Sequence, residues 1–352
     1  MQPPLLELRD VSKRFQPAPD FTARLTQWVG VKTGERVVRA VDHVSLEIGT
    51  AEVVGLVGES GCGKSTLGRI AAGLLPASEG RRLWKGDEIA DNLVRSRTSA
   101  QALGTVPLKN ARQMPAGLAI QMIFQNPFAS LNPRMRVVDL VGEAPLAHKI
   151  IDRKERDRYV AGQLDRVGLE AALATRYPHQ FSGGQRARIG IARALAVRPE
   201  LLVCDEAVAA LDVSIQAQVI NLFMRLRDDL GLSYLFISHD IGVVRHVSDR
   251  VIVMYLGRVI EAASADELFA RPNHPYTRAL LAEAPSLDVK KKKFIAVKGE
   301  IPSPLHPPSG CHFHPRCPYA HTVPGGRCKA EIPLLKEAAP GHWSACHLND
   351  YS

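Results

Sequence analysis

The chain has 352 residues, enough for one large domain or two, and 45% hydrophobic with 23% charged residues is an ordinary globular composition. No uninterrupted apolar run approaches the roughly 18–20 residues of a membrane-spanning helix. The net charge of +9 is scattered, apart from Lys290–Lys293 and pairs such as Arg81–Arg82. It reads as a solvated basic surface, and no nucleic-acid partner is expected.

The first residues, Met1-Gln-Pro-Pro-Leu-Leu-Glu7, lack the basic-then-apolar layout of a secretory signal, so a cytosolic chain is expected. Leu5 to Phe15 alternates as a half-buried strand, and a polar, proline-containing segment to Arg36 reads as a loop. Val37 to Ile48 alternates again, which predicts an antiparallel flap. Phe15 is a candidate to stack on a nucleotide base, with a core position as the other reading.

Ala51 to Val57 is a valine-rich run of strand length, and Ser65 to Leu75 has helical composition. Between them lies Gly58-Glu59-Ser60-Gly61-Cys62-Gly63-Lys64-Ser65, the pattern of a phosphate-binding P-loop. A strand feeding such a turn into a helix N-terminus aims backbone N–H groups at an anion, reinforced by the helix dipole. Gly58, Gly61 and Gly63 allow the tight path. Lys64 is expected to reach the β- and γ-phosphates, and Ser65 to ligate Mg²⁺. The whole turn from Gly58 to Thr66 counts as a candidate ATP site.

Gly80 to Gly117 is polar and poorly periodic, an expected insertion or surface lobe. Ala119 onward is a strand ended by Gln125 and Pro127. Val137 to Leu173 mixes charged and apolar residues at helical spacing, predicting a helical subdomain over about 128–185 inserted into an α/β core. Ser182, before Gly183 and Gly184, is placed to cap a helix over Arg186–Ala196 and to offer a second helix N-terminus to an anion.

Leu201 to Glu206 is a buried strand ending in two carboxylates. Gln216–Leu230 is amphipathic, with Val219, Leu222, Phe223, Leu226 and Leu230 on one face. Tyr234 to Asp240 and Val251 to Leu256 are further apolar strands. Strands alternating with helices predict an α/β fold with a mainly parallel sheet covered on both faces.

Beyond about Glu261 the texture changes. Proline-rich Ile301–Gly310 should be extended and unable to join a central strand. The expected division is an ATPase domain over 1–284 and a small appended module over 285–352.

The order of these elements points to phosphoryl transfer from ATP to water. Asp205 is expected to hold Mg²⁺ with Ser65 and Gln125, and Glu206 to orient or deprotonate the attacking water. His239, at a strand end, is placed to contact the γ-phosphate. In the C-terminal module Cys311, Cys317, Cys328 and Cys346 are spaced C-x₅-C-x₁₀-C-x₁₇-C. Four thiolates in a cytosolic chain suit one metal centre, either an iron–sulfur cluster or Zn²⁺. His312, His314, His321, His342 and His347 keep a mixed zinc site open, and unligated or disulfide-bonded cysteines are the remaining reading.

Phe181-Ser182-Gly183-Gly184-Gln185 resembles the signature of ATP-binding cassette (ABC) proteins. Gln125, Ala210-Leu211-Asp212 and His239 match that family's Q-loop, D-loop and switch histidine. The resemblance implies an ABC-type nucleotide-binding domain that dimerises head to tail. The P-loop of one subunit and Ser182, Gly183, Gly184, Gln185 and Asp212 of the other would then enclose each ATP.

Pro127-Phe-Ala-Ser-Leu-Asn-Pro133, His274–Leu280 and Pro308–Pro318 resemble the oligopeptide/dipeptide importer branch. This implies an ATPase peripheral to the cytoplasmic face of the inner membrane. Its partners would be two permease subunits, a second ABC ATPase and, indirectly, a solute-binding protein. The branch also implies a [4Fe–4S] cluster on the four cysteines. A soluble cassette ATPase acting on nucleic acid or translation is the alternative, but the second cassette or coiled-coil insertion usual there is missing from the sequence. A binding-only subunit is disfavoured by Glu206 with His239. One departure stands out: Ala207-Val208-Ala209 replaces the family's usual Pro-(Thr/Val)-Ser.

Overall fold

A computed structural model describes residues 3–16, 37–89, 116–126, 130–283 and 299–351. Its strands, in chain order, begin with β1 (Leu6–Phe15), β2 (Val38–Ile48), β3 (Val53–Val57), β4 (Glu79–Trp84), β5 (Asp87–Glu88) and β6 (Ile120–Ile123). They continue with β7 (Leu201–Asp205), β8 (Ser233–Ile237), β9 (Arg250–Tyr255), β10 (Arg258–Ser264), β11 (Lys336–Ala339) and β12 (His342–Ser344). The helices used below are α1 (Lys64–Ala71), α2 (Val137–Ala147), α3 (Arg156–Arg166), α4 (Gly183–Leu195), α5 (Val213–Leu230), α6 (Ile241–Val247), α7 (Ala265–Ala270) and α8 (Pro275–Glu283).

The larger sheet runs β11-β12-β10-β9-β3-β8-β7-β6, parallel from β9 through β6. Strands β3, β7 and β8 are buried at every residue, as continuous apolar runs require when both faces are covered. Their alternate side chains serve different cores. Leu202, Cys204, Tyr234 and Phe236 pack with the helices α2 to α5, while Leu201, Val203, Leu235 and Ile237 pack with α1 and the smaller sheet. That smaller sheet, β2-β1-β4-β5, is wholly antiparallel and forms the flap expected from the alternation of β1 and β2.

Several boundaries differ from the sequence reading. Gly80 lies not in a polar lobe but in β4, where Leu83 and Trp84 are buried in the flap core. Two apolar residues in so short a strand give too little periodicity to read. Residues 90–115 of the expected insertion and most of the loop before Arg36 lie outside the described residues. Helix α4 begins at Gly183, not Arg186, because Ser182 caps it and both glycines sit in its first turn. Helix α5 likewise starts three residues early, at Val213.

Residues Ile301–Gly310 contain no strand. After them β12 pairs with β10, with Glu261 opposite Ser344 and Ala262 opposite Trp343, and β11 beyond it forms the sheet edge. Fully buried Glu261 secures this join. Its carboxylate accepts the Asn273 and His274 N–H groups at 2.6 and 2.8 Å and meets His342 Nε2 at 2.7 Å. A buried carboxylate is tolerated when each lone pair finds a donor.

Candidate functional site

Strand β3 ends at Val57, and the chain turns through Gly58–Gly63 into α1. Gly58 has φ 151° and Gly63 φ 106°. A Cβ at Gly58 would lie 2.2 Å from Met254 O, and one at Gly63 2.0 Å from Ala40 O, so both positions exclude a side chain. The neighbouring β9 and β2 backbones press against the turn and give it its shape.

Lys64 is buried, and its Nζ donates to the carbonyls of Gly58 at 2.7 Å and Glu59 at 3.0 Å. Ser65 Oγ donates to Asp205 Oδ1 at 2.7 Å, joining α1 to the end of β7 across 140 residues of sequence. Burial pushes the Asp205 carboxyl above its usual range, against the hydrogen bond from Ser65 and the charges of Arg69 and Lys64. A cation beside this pair would relieve that penalty. A hydroxyl and a carboxylate oxygen are hard donors of the kind Mg²⁺ prefers, so these residues fit the ion.

Glu206 follows Asp205 with a left-handed backbone, φ 49°, which turns it out of the strand direction. Its carboxylate accepts from Gln125 Nε2 at 2.7 Å on one oxygen and lies 3.4 Å from His239 Nδ1 on the other. Three residues that the sequence places after three different strands thus meet at one carboxylate.

The remaining candidates sit elsewhere. Ser182 and Gln185 form a capping box: Gln185 N donates to Ser182 Oγ at 3.3 Å, and Ser182 N donates to Gln185 Oε1 at 3.1 Å. A Cβ on Gly184 would lie 2.4 Å from Ile215 Cγ2, so the first turn of α4 is pressed against the start of α5. Exposed Asp212 is the N-cap residue of α5, without a side-chain cap bond. Among the described residues, no hydrogen bond or ion pair joins Ser182–Gln185 or Asp212 to the Gly58–Ser65 turn. Phe15 is 41% exposed at the end of β1, which excludes the core reading, and Lys13 Nζ lies 5.4 Å from its ring centroid. Cys62 is buried with its thiol pushed up by burial, a neutral filler of the turn.

Two contacts to Glu59 have no counterpart in the sequence reading. Tyr276 Oη accepts the Glu59 N–H at 2.8 Å, and Arg316 grips the Glu59 carboxylate through both terminal nitrogens, at 2.8 and 2.9 Å. The available signal was a charged residue inside the Pro308–Pro318 motif, but nothing there names a partner 257 residues away.

The four C-terminal cysteines are unpaired and share one neighbourhood. Cys311 N donates to Cys328 O at 2.9 Å, and the charges of ionised Cys346, Cys328 and Cys317 would each be felt at Cys311. Burial pushes the Cys311 thiol up to about 12 and that of Cys346 up to about 11. No group of three or more His, Cys, Asp or Glu among the described residues converges closely enough to hold a metal ion. As placed, the residues do not form a chelate for a single zinc.

Fold and geometry together define an ABC-type ATPase. Residues 41–209 match the ABC transporter family, and residues 260–323 match the oligopeptide/dipeptide transporter C-terminal region. The oligopeptide transport ATP-binding protein AppF of Bacillus subtilis is 49% identical over 350 residues, 99% of this chain and 98% of its own. A probable peptide ABC transporter ATP-binding protein of Sinorhizobium fredii is 45% identical, over 90% of this chain and 84% of its own. Among solved structures, cbiO1 of Clostridium perfringens, part of the ABC transporter complex cbiONQ, gives a TM-score of 0.59 at 25% identity, across 77% of this chain and 92% of that one. The ABC cassette MJ0796, solved as a dimer bound to ADP and Pi, gives 0.57 at 26% identity, across 74% and 98%. The chain belongs to the ATP-binding subunits of ABC transporters, in their oligopeptide/dipeptide branch.

Proposed function

We propose that the chain hydrolyses ATP to drive import of peptides or related small solutes through two membrane permease subunits. The observation that carries this reading is the meeting of Gln125 and His239 at Glu206, beside the Ser65–Asp205 pair. Lys64 exchanges the Gly58 and Glu59 carbonyls for the β- and γ-phosphates. Ser65, Asp205 and the free amide oxygen of Gln125 would hold Mg²⁺, which supplies charge neutralisation at the phosphate oxygens. Glu206 accepts the proton of the attacking water, and His239 holds the γ-phosphate against it. Ser182 Oγ and the first N–H groups of α4 serve the ATP on a second cassette, so hydrolysis requires a pair. Gln125 lies at the entrance to the helical subdomain, so its position would report γ-phosphate loss to the permeases.

The site of action in this reading is the cytoplasmic face of the inner membrane, with a solute-binding protein delivering cargo from the other side. Among the described residues no helix is long and apolar enough to cross a membrane. The test is hydrolysis by the chain assembled with its permeases in vesicles. Stimulation by solute-loaded binding protein is expected, and stimulation by nucleic acid or ribosomes instead would replace this reading.

The same proposal extends to the four cysteines as ligands of a [4Fe–4S] cluster. A cluster is broader than one ion, and four thiols in one neighbourhood suit it in number and chemistry. Anaerobically purified protein should be brown, absorb broadly near ~400 nm and lose that absorbance in Cys317→Ser. A colourless anaerobic preparation carrying one equivalent of zinc would refute it.

A further inference from the structure

The phosphate-binding turn is held from outside by the cysteine-rich extension of the same chain. Arg316, next to Cys317, forms a two-pronged ion pair with Glu59, the second residue of the turn, at 2.8 and 2.9 Å. Only 6% of the Arg316 side chain and 19% of that of Glu59 is exposed, so water screens the pair weakly. Arg316 Nη1 also donates to Tyr255 Oη at 3.3 Å, and its guanidinium carbon lies 5.9 Å from the ring centroids of both Tyr255 and Phe313. Phe313, from the same cysteine loop, is buried between Tyr255 and Tyr276, 5.4 Å from each ring.

Tyr276 completes the clamp by accepting the Glu59 N–H. Glu59 is therefore fixed by side chain and main chain together. The other end of the turn is tied as well: Gly257 N donates to Cys62 O at 2.9 Å, and the adjacent Leu256 carbonyl contacts His312 Nδ1 at 3.2 Å. A turn built on glycines has much conformational freedom to lose when it closes around phosphates. Ties made before the ligand arrives remove that cost from binding.

We propose that Arg316 is a positioning residue for nucleotide binding. By pinning Glu59 it holds the Gly58–Lys64 turn in its phosphate-accepting shape, which makes the extension an integral part of the ATP site. The proposal rests on the reading of that turn as the ATP site. It predicts an effect on affinity, since neither Arg316 nor Glu59 contacts the Glu206 carboxylate where water would be activated.

The experiment measures ATP·Mg²⁺ affinity and steady-state hydrolysis in the assembled transporter carrying Arg316→Ala, Glu59→Ala or both. Each single variant should raise the Kd and KM for ATP about tenfold, a typical coupling for a pair in contact, and Arg316→Ala should do so with kcat within about twofold at saturation. The double variant should bind ATP no worse than the weaker single variant. Arg316→Lys, which keeps the charge but loses the fork, should fall between wild type and Arg316→Ala. Wild-type affinity in a folded Arg316→Ala protein would overturn the proposal. So would an Arg316→Ala penalty that persists undiminished in the Glu59→Ala background, because the residue would then act only by packing the extension. If Arg316→Ala does not fold, Glu59→Ala decides: wild-type affinity there overturns the proposal equally. A wild-type protein that fails to bind ATP would instead overturn the nucleotide-site reading, a separate failure.

Discussion

Replacing Glu206 by glutamine separates the chemical step from nucleotide binding. The substitution preserves shape, and the remaining amide oxygen can still accept from Gln125 Nε2, now 2.7 Å from the carboxylate. The ground state then changes by the difference between a charged and a neutral hydrogen bond, about 1 kcal/mol, or roughly fivefold in any equilibrium. The transition state loses its proton acceptor, which typically costs about 10²–10⁴ in rate, ~3–5 kcal/mol. The second effect dominates. Phosphate release in a single turnover of the assembled Glu206→Gln transporter should slow at least about a hundredfold, with ATP affinity held within about fivefold. An ATP-bound dimer should accumulate. Lys64→Ala should do the reverse and weaken binding itself, because that ammonium is held within the turn by the Gly58 and Glu59 carbonyls. Near-normal turnover in Glu206→Gln, or a loss of ATP affinity as large as the loss of turnover, would refute the assignment.

Three other outcomes follow from the same geometry. Asp205→Asn keeps an acceptor for Ser65 Oγ and removes a buried charge. The native carboxyl, raised by burial, stabilises the fold at low pH and loses that contribution as pH rises through its folded value, so at neutral pH the variant should be at least as stable. Its Mg²⁺ requirement for ATP binding, by titration, should meanwhile rise about 10–100-fold, and an unchanged requirement would remove Asp205 from the metal site. Burial holds the His274 ring neutral, down to about 3, while the ring accepts the Tyr276 N–H at 3.0 Å. Its stabilising contribution is complete above its ordinary value of about 6.5 and falls by up to about 1.4 kcal/mol per unit as pH drops toward 3. Between pH 6.5 and 5, denaturant unfolding should therefore cost wild type about 2 kcal/mol more stability than His274→Gln, and equal losses would contradict the buried neutral ring. Finally, cysteines at exposed Asn132 and Arg134, between Gln125 and α2, and at exposed Glu143 within α2 should cross-link to cytoplasmic loops of the permease. Cross-links at other faces with none here would move the docking surface elsewhere.

Most of what contiguous residues carry is legible in the sequence. The Gly58–Ser65 turn, the Ser182 cap and the Asp205-Glu206 strand end are each written within a few positions, because backbone geometry and local hydrogen bonds demand particular residues there. The parallel sheet was legible for the same reason, since strands covered on both faces must be apolar throughout. Only the tertiary structure decided how these pieces meet. Glu206 gathers Gln125 and His239 because β6, β7 and β8 lie side by side and end at one edge of the sheet. The short strand β4 is not legible because two buried apolar residues make no period, and the early start of α4 because glycines signal a turn more strongly than a helix. The extension's part in the ATP site was invisible for a different reason. Arg316 and Glu59 are joined by a fold that brings residues 257 apart in sequence into contact, and neither residue's neighbours in the chain record that pairing.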